Sequence, residues 1–288
     1  MDDLSLGDVV AVLDGLYPPA SAADWDRVGL VTGDPAQPVR RILFAVDPTL
    51  AVIEEAAAWD ADLLVTHHPL LLRGVHSVAT TTAKGASVTS LVVSDTALYV
   101  AHTNADVAEP GVSTVLAEAL GLSDIRPLSD DEAYAVGRVG VLPGAESLRA
   151  FAERVASALP ATAGGIRVSG DPAGEVRRVA VLGGAGDDRF DQVRASGADV
   201  YVTADLRHHP ALEAREEARG ARPYLVDAGH WATESLWLES ARVRLLGALG
   251  DDPATPTRVD TRLSTIRTEP WTFVVGANAA APAPGGTP

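Results

Sequence analysis

Cysteine is absent from all 288 residues. That excludes disulfides, thiolate zinc sites and cysteine nucleophiles together. Lysine is almost absent too, with Lys84 the sole example, and the arginines are scattered rather than clustered. At a formal net charge of −16 the chain lacks the basic surface that neutralises a phosphate backbone, so no nucleic-acid partner is expected. No apolar run approaches the roughly 18–20 residues needed to cross a bilayer, and no membrane association is expected. The N-terminus, MDDLSLGDVV, is acidic where a secretory leader is basic, and no apolar leader core follows. The expectation is a cytoplasmic protein. What is present suits a globular chain: 47% hydrophobic and 22% charged residues, enough for one large core or two smaller ones. Residues 276–288, GANAAAPAPGGTP, hold nothing to bury and are expected to form a disordered tail.

Short apolar runs alternate with helical patterns. RRILFAVD (40–47), DLLVT (62–66) and ALYVAHT (97–103) read as strands. Between the first two, PTLAVIEEAAAWDA reads as a helix with Leu50, Ile53, Ala57 and Ala61 at helical spacing. Strand–helix–strand order with near-continuous apolar strands predicts an α/β fold, a parallel or mixed sheet covered by helices. The pattern then starts again with RRVAVLGG (177–184), a helical stretch to Ser196 and ADVYVT (198–203). Arg40-Arg41 matches Arg177-Arg178, and ADLLVT matches ADVYVT, at one shared offset of 137 residues. Two matches at one offset point to an internal duplication, hence two similar α/β domains. Boundaries are expected to give residues 1–127 plus 228–275 as the first domain and 128–227 as the second. Within the second, Leu148, Phe151, Ala152, Val155 and Leu159 form the buried stripe of a helix. A long last helix is expected from about His230 to Gly247.

The seven histidines are not spread evenly. His67 and His68 close one strand, in VTHHPLLL, and His102 closes another, four residues before Asp106. His230 opens the last helix, four residues before Glu234. Spacing of i,i+4 puts His230 and Glu234 on one helix face. Adjacent residues on an extended segment project in opposite directions, so His67 and His68 would each serve one of two ions rather than share one. A carboxylate such as Asp106 or Glu234 can bridge two ions roughly 3.5–4 Å apart. The carboxyl ends of parallel strands gather at one sheet edge, where ligands bind. A single strand-end histidine is ordinarily a surface residue, and His76 stays there. The joint occurrence of three His/carboxylate clusters favours a metal site.

WDRVGLVTGD (25–34), VTHHPLLL (65–72), HTNADVAEPGVSTVLAEALGL (102–122) and DAGHWATE (227–234) resemble, in order and spacing, the family of dinuclear-metal-centre proteins named GTP cyclohydrolase 1 type 2 homologues. The resemblance runs from about residue 5 to 270. It implies two similar α/β domains in the family's short form, without the inserted third domain that longer members carry. It implies a ligand set of His67, His68, Asp106, His230 and Glu234, carried by the first domain as bounded above, for two divalent ions (Zn, Mn, Fe or Ni). His102 matches a position beside the metals, as an extra ligand or as an acid/base group. Trp25 and Asp26 either line the pocket or hold the N-terminal loop. His208 and His209, in DLRHHPAL, are not equivalent ligands, because the repeat sets Ala204-Asp205 opposite His67-His68.

The leading expectation is a metal-dependent hydrolase acting on a purine nucleotide, GTP cyclohydrolase-like, with His102 as the catalytic proton carrier. LGGAGDD (182–188) is the one glycine-rich candidate for a phosphate cradle, although its aspartates would repel phosphate. Two alternatives use the same residues or none: a metal-binding or metal-delivery protein without turnover, and a regulatory scaffold. As partners, the resemblance implies a homo-oligomer, a toroidal hexamer, and a small-molecule substrate.

Overall fold

The computed structural model describes residues 4–129, 135–250 and 259–276. The chain divides into two compact units. One takes the residues up to Gly111 together with Trp237–Thr268, and the other takes Val112–Leu236 together with the residues from Glu269 on.

The first unit opens with α1 (Leu6–Leu16), capped by Ser5. The Ser5 hydroxyl accepts the Asp8 N–H at 3.2 Å, and the Asp8 carboxylate accepts the Ser5 N–H at 3.1 Å, so two end donors are satisfied reciprocally. There follow β1 (Gly29–Thr32), β2 (Arg41–Ala45), α2 (Leu50–Ala58), β3 (Leu63–Thr66), α3 (Ala83–Val93), β4 (Ala97–Val100) and the single turn α4 (Thr103–Asp106). The second unit holds α5 (Val112–Ala119), β5 (Ser123–Pro127), β6 (Arg138–Ser147), α6 (Leu148–Ala158), β7 (Arg167–Ser169), β8 (Glu175–Ala185), α7 (Phe190–Ala195), β9 (Val200–Ala204), α8 (His208–Glu217), β10 (Tyr224–Asp227) and α9 (His230–Ser235). The chain then returns to the first unit as α10 (Trp237–Ala248) and β11 (Asp260–Leu263).

The first sheet has the order β1-β4-β3-β2-β11. β1 runs antiparallel to β4, and the remaining neighbours are parallel. Every residue of β3 and β4 is buried, as a parallel sheet covered on both faces requires. Leu43, Leu64 and Leu98 from the sheet pack with Val52 and Ile53 of α2 and Leu91 of α3. Helix α2 buries Val52, Ile53 and Ala56, while Leu50 stays 39% exposed. Thr49 caps this helix, so Leu50 sits in its open first turn and the buried stripe begins two residues later.

The second sheet has the order β5-β6-β8-β9-β10-β7. β8, β9 and β10 are parallel, flanked by antiparallel partners. Both halves are thus α/β units with mixed sheets under helices. The expected stripe of Leu148, Phe151 and Val155 packs against Val179, Val200 and Val226. Leu116, Ala117 and Leu120, from and just after α5, join this same core together with Ala232 of α9. That packing draws residues 112–127 and 228–236 into the second unit, whereas the sequence boundaries lie at 127/128 and 227/228.

The duplication recurs as an identical hydrogen-bonded clip. Asp62 accepts the backbone N–H groups of Arg40 and Arg41 at 2.7 and 2.8 Å. Asp199, 137 residues on, accepts those of Arg177 and Arg178 at 2.9 and 2.8 Å. The expected long last helix is two helices, α9 and α10, separated at Leu236. There the Ser235 hydroxyl donates to the Ala232 carbonyl, a bond that competes with the helical ladder. The expected disordered tail, apart from Gly276, lies outside the described residues. Among the described residues, no helix is long and apolar enough to cross a membrane.

Candidate metal centre

Register brings the first unit's chemistry together. Ala45 pairs with Thr66 and Thr66 with Val100, so β2, β3 and β4 end level at one sheet edge. The residues just beyond those ends are Asp47, His67-His68 and His102. The strand stops at Thr66, whose hydroxyl donates to the His68 carbonyl at 3.0 Å, and the backbone bends instead of continuing extended. The expectation that the two adjacent imidazoles project oppositely therefore does not hold, because it assumed an extended backbone. Their ring centroids lie 5.0 Å apart, and each lies within 5.5 Å of the His102 ring. One nitrogen from each of His67, His68 and His102 lies within 4.8 Å of the other two, a group able to hold a metal ion. One helical turn past His102, α4 presents Asp106, its Oδ1 3.7 Å from His67 Nε2. Below the cluster, Trp237 of α10 is fully buried against His67, at a ring separation of 5.4 Å.

Each imidazole is oriented through its Nδ1. His67 Nδ1 donates to the Ala101 carbonyl at 2.9 Å, His68 Nδ1 to Asp47 at 2.7 Å and His102 Nδ1 to Asp26 at 2.9 Å. A carbonyl or carboxylate oxygen only accepts, so Nδ1 carries a proton, and in the neutral ring Nε2 then carries the lone pair. This is how metal-ligating histidines are held. Asp47 is itself held by a hydrogen bond from the Thr268 hydroxyl. Asp26 is buried and also accepts the Thr103 N–H at 3.0 Å and the Thr103 hydroxyl at 2.5 Å. Burial alone would push the Asp26 carboxyl up, but the hydrogen bonds from His102 and Thr103 win and hold it well below the usual carboxylate range. Asp26 therefore holds both the loop and His102. The indole of the neighbouring Trp25 is 58% exposed, with its ring 5.9 Å from that of His102.

The second unit pairs His230 with Glu234 across one turn of α9. His230 Nε2 lies 3.0 Å from Glu234 Oε1, and His230 Nδ1 donates to Asp205 at 2.8 Å. With Nδ1 protonated, a neutral imidazole turns its Nε2 lone pair toward a carboxylate oxygen. Two acceptors at that distance call for a cation, either a proton or a metal ion. Gly184 makes room for the pair: a Cβ there would fall 2.3 Å from Glu234 Oε1 and 3.2 Å from His230 Nε2. The glycines of LGGAGDD are thus packing residues and not a phosphate cradle. Gly183 and Gly184 lie within β8, and their N–H groups donate to the Ser113 and Thr233 hydroxyls at 3.3 and 2.9 Å. His208 and His209 sit exposed at the start of α8 and belong to neither cluster, and His76 is exposed in the loop before α3.

Of the residues singled out in the sequence, the first unit gathers His67, His68, His102 and Asp106, and the second gathers His230 and Glu234. Sequence reasoning missed Asp47 and Asp205. Asp205 had a usable signal, since it stands opposite His68 in the repeat, but that alignment served only to set His208 and His209 aside.

Fold and geometry together define a duplicated α/β protein whose strand ends and helix starts carry imidazole and carboxylate donors fit for a divalent metal. The profile of the family described as Duf34/NIF3 (NGG1p interacting factor 3) matches residues 4–263, and the chain belongs to that family. A Streptomyces coelicolor relative named "GTP cyclohydrolase 1 type 2 homolog" is 50% identical over 277 residues, covering 94% of this chain and 95% of its own. A Mycobacterium leprae relative of the same name is 35% identical over 375 aligned positions, covering 92% and 94%. That alignment is longer than this chain, as an insertion in the relative requires. Among solved structures, a Bacillus cereus protein related to NIF3 superposes with a TM-score of 0.85 at 25% identity, covering 95% of this chain and all of that one.

Proposed function

We propose that the chain binds two divalent ions through His67, His68, Asp106, His230 and Glu234, with the carboxylates able to bridge. We further propose that it hydrolyses a purine nucleotide or related heterocycle. The observation that carries this reading is the common orientation of His67, His68, His102 and His230, each donating Nδ1 to a protein acceptor. The purine substrate class rests on the name of the relatives, GTP cyclohydrolase 1 type 2 homolog. An all-nitrogen and oxygen donor set suits Zn, Mn, Fe or Ni. When bound, such ions lower the pKa of water and polarise a substrate oxygen. His102 is the proposed proton carrier: Asp26 fixes its Nδ1–H and leaves Nε2 to take up and return a proton. Homo-oligomerisation into a toroidal hexamer is part of the same reading.

Elemental analysis of purified protein should return about two divalent ions per chain. With Mn, Zn or Fe supplied, the protein should hydrolyse GTP or a related nucleotide. His102→Gln should keep the metals and lose roughly 10²–10⁴-fold in rate. Loss of metal together with activity in that variant would make His102 a ligand. A metal-loaded wild type inert toward nucleotides and phosphoesters would refute the hydrolase and leave metal delivery as the better account. Light scattering that returned a 29.8 kDa monomer at micromolar concentration would refute the hexamer.

A further inference from the structure

The two repeats put different chemistry at equivalent positions. At the 137-residue offset, Asp205 stands where His68 stands, and Gly184 stands where Asp47 stands. In the first repeat the second residue past β3, His68, is the imidazole, and Asp47, two residues past β2, orients it at 2.7 Å. In the second repeat the residue after β9 is the carboxylate. It orients His230 at 2.8 Å, an imidazole supplied by α9, the helix that follows β10. The position that would hold a second orienting carboxylate is glycine, and Glu234 Oε1 fills the space.

We infer that Asp205 is a positioning residue, which fixes His230 in the Nδ1–H tautomer with Nε2 presented, beside Glu234, to a divalent cation. The inference rests on the metal reading above and goes beyond it by assigning a role to a residue outside the ligand set. Two features of Asp205 fit this role. Its side chain is 60% exposed, so it adds little to the core. Its backbone has φ +53, in the left-handed region that aspartate tolerates better than most residues. The strand end therefore aims a carboxylate at Nδ1 in a conformation that most side chains would not adopt.

The same left-handed φ supplies a clean test. Asp205→Gly removes the carboxylate without backbone strain, and Asp205→Asn keeps an acceptor for Nδ1–H. In metal-free protein carrying ¹⁵N-labelled histidine, long-range ¹H–¹⁵N spectra read the tautomer of each ring, with His230→Gln assigning the resonance. Wild type and Asp205→Asn should show His230 carrying a proton on Nδ1, and Asp205→Gly should show that proton lost and the ring protonated at Nε2, beside Glu234 Oε1. Competition against a chromophoric chelator then reads Zn²⁺ and Mn²⁺ affinity, which should fall about 10–100-fold in Asp205→Gly and largely recover in Asp205→Asn. Metal uptake by wild type with tautomer and affinity unchanged in Asp205→Gly would overturn the role of Asp205 alone. No uptake of either ion by wild type would overturn the metal reading itself, and this role with it.

Discussion

Replacing Gly184 by alanine imposes two separable costs, and Gly165 supplies the control. Both glycines have positive φ, +74 at Gly184 and +59 at Gly165. An alanine held in the left-handed region costs about 1–2 kcal/mol. At Gly165 a Cβ meets nothing within 4 Å, so Gly165→Ala should lose that amount and no more, roughly 2–4 °C in Tm for each kcal/mol. At Gly184 the new Cβ would lie 2.3 Å from Glu234 Oε1 and 3.3 Å from its Cδ. Comfortable non-bonded separation begins near 3.5 Å, so the carboxylate must retreat by about 1 Å. Metal–ligand distances tolerate about 0.2 Å, so a displacement of that size removes Glu234 from any ion it holds. Denaturant unfolding of the metal-free proteins should show Gly184→Ala losing at least as much stability as Gly165→Ala. Chelator competition should show Zn²⁺ affinity falling at least 10–100-fold in Gly184→Ala and unchanged in Gly165→Ala. Wild-type affinity in Gly184→Ala would refute the argument that this glycine exists to seat the carboxylate.

The duplicated clip predicts a matched pair of stability effects. Asp62→Ala and Asp199→Ala each strand two backbone N–H groups, which are exposed or part-buried, so the roughly 1–3 kcal/mol for a fully buried donor is an upper bound per group. Asp199→Ala should be the costlier, because Asp199 is more buried and also accepts the Arg222 guanidinium at 2.5 Å. Urea unfolding that ranked them the other way would contradict the packing argument. Asp26 predicts a pH effect. Its folded pKa lies below the unfolded value of about 4, so its contribution is complete above that value and is lost as pH falls toward the folded one. In metal-free protein, the stability difference between wild type and Asp26→Asn should be constant above about pH 5 and shrink below pH 4. A difference that persisted unchanged into strong acid would mean that Asp26 is not the titrating group.

Much of this protein was decided locally. The apolar runs at 41–45, 63–66 and 97–100 are strands because each is continuous enough to be buried on both faces of a sheet. Leu148, Phe151 and Val155 form a buried stripe because helical spacing aligns them. The duplication showed in two short matches, since equivalent strands need equivalent starts. His67, His68 and His102 stood out because a polar ring directly after a buried strand must sit at the sheet edge. Tertiary structure decided the rest. Whether His67 and His68 diverge or converge depended on where the ladder stops, and the bend after Thr66 settles that where residue spacing could not. Asp26, Asp47 and Asp205 orient imidazoles lying 76, 21 and 25 residues away in the chain, pairings created only by strand register and loop placement. Gly184 read as a phosphate loop because a glycine's neighbours are invisible in sequence. In the fold, Glu234, fifty positions later, occupies the space a Cβ would take. Periodicity reports which face of an element is buried. Which carboxylate meets which imidazole is a property of distance in space, and the chain encodes it only by folding.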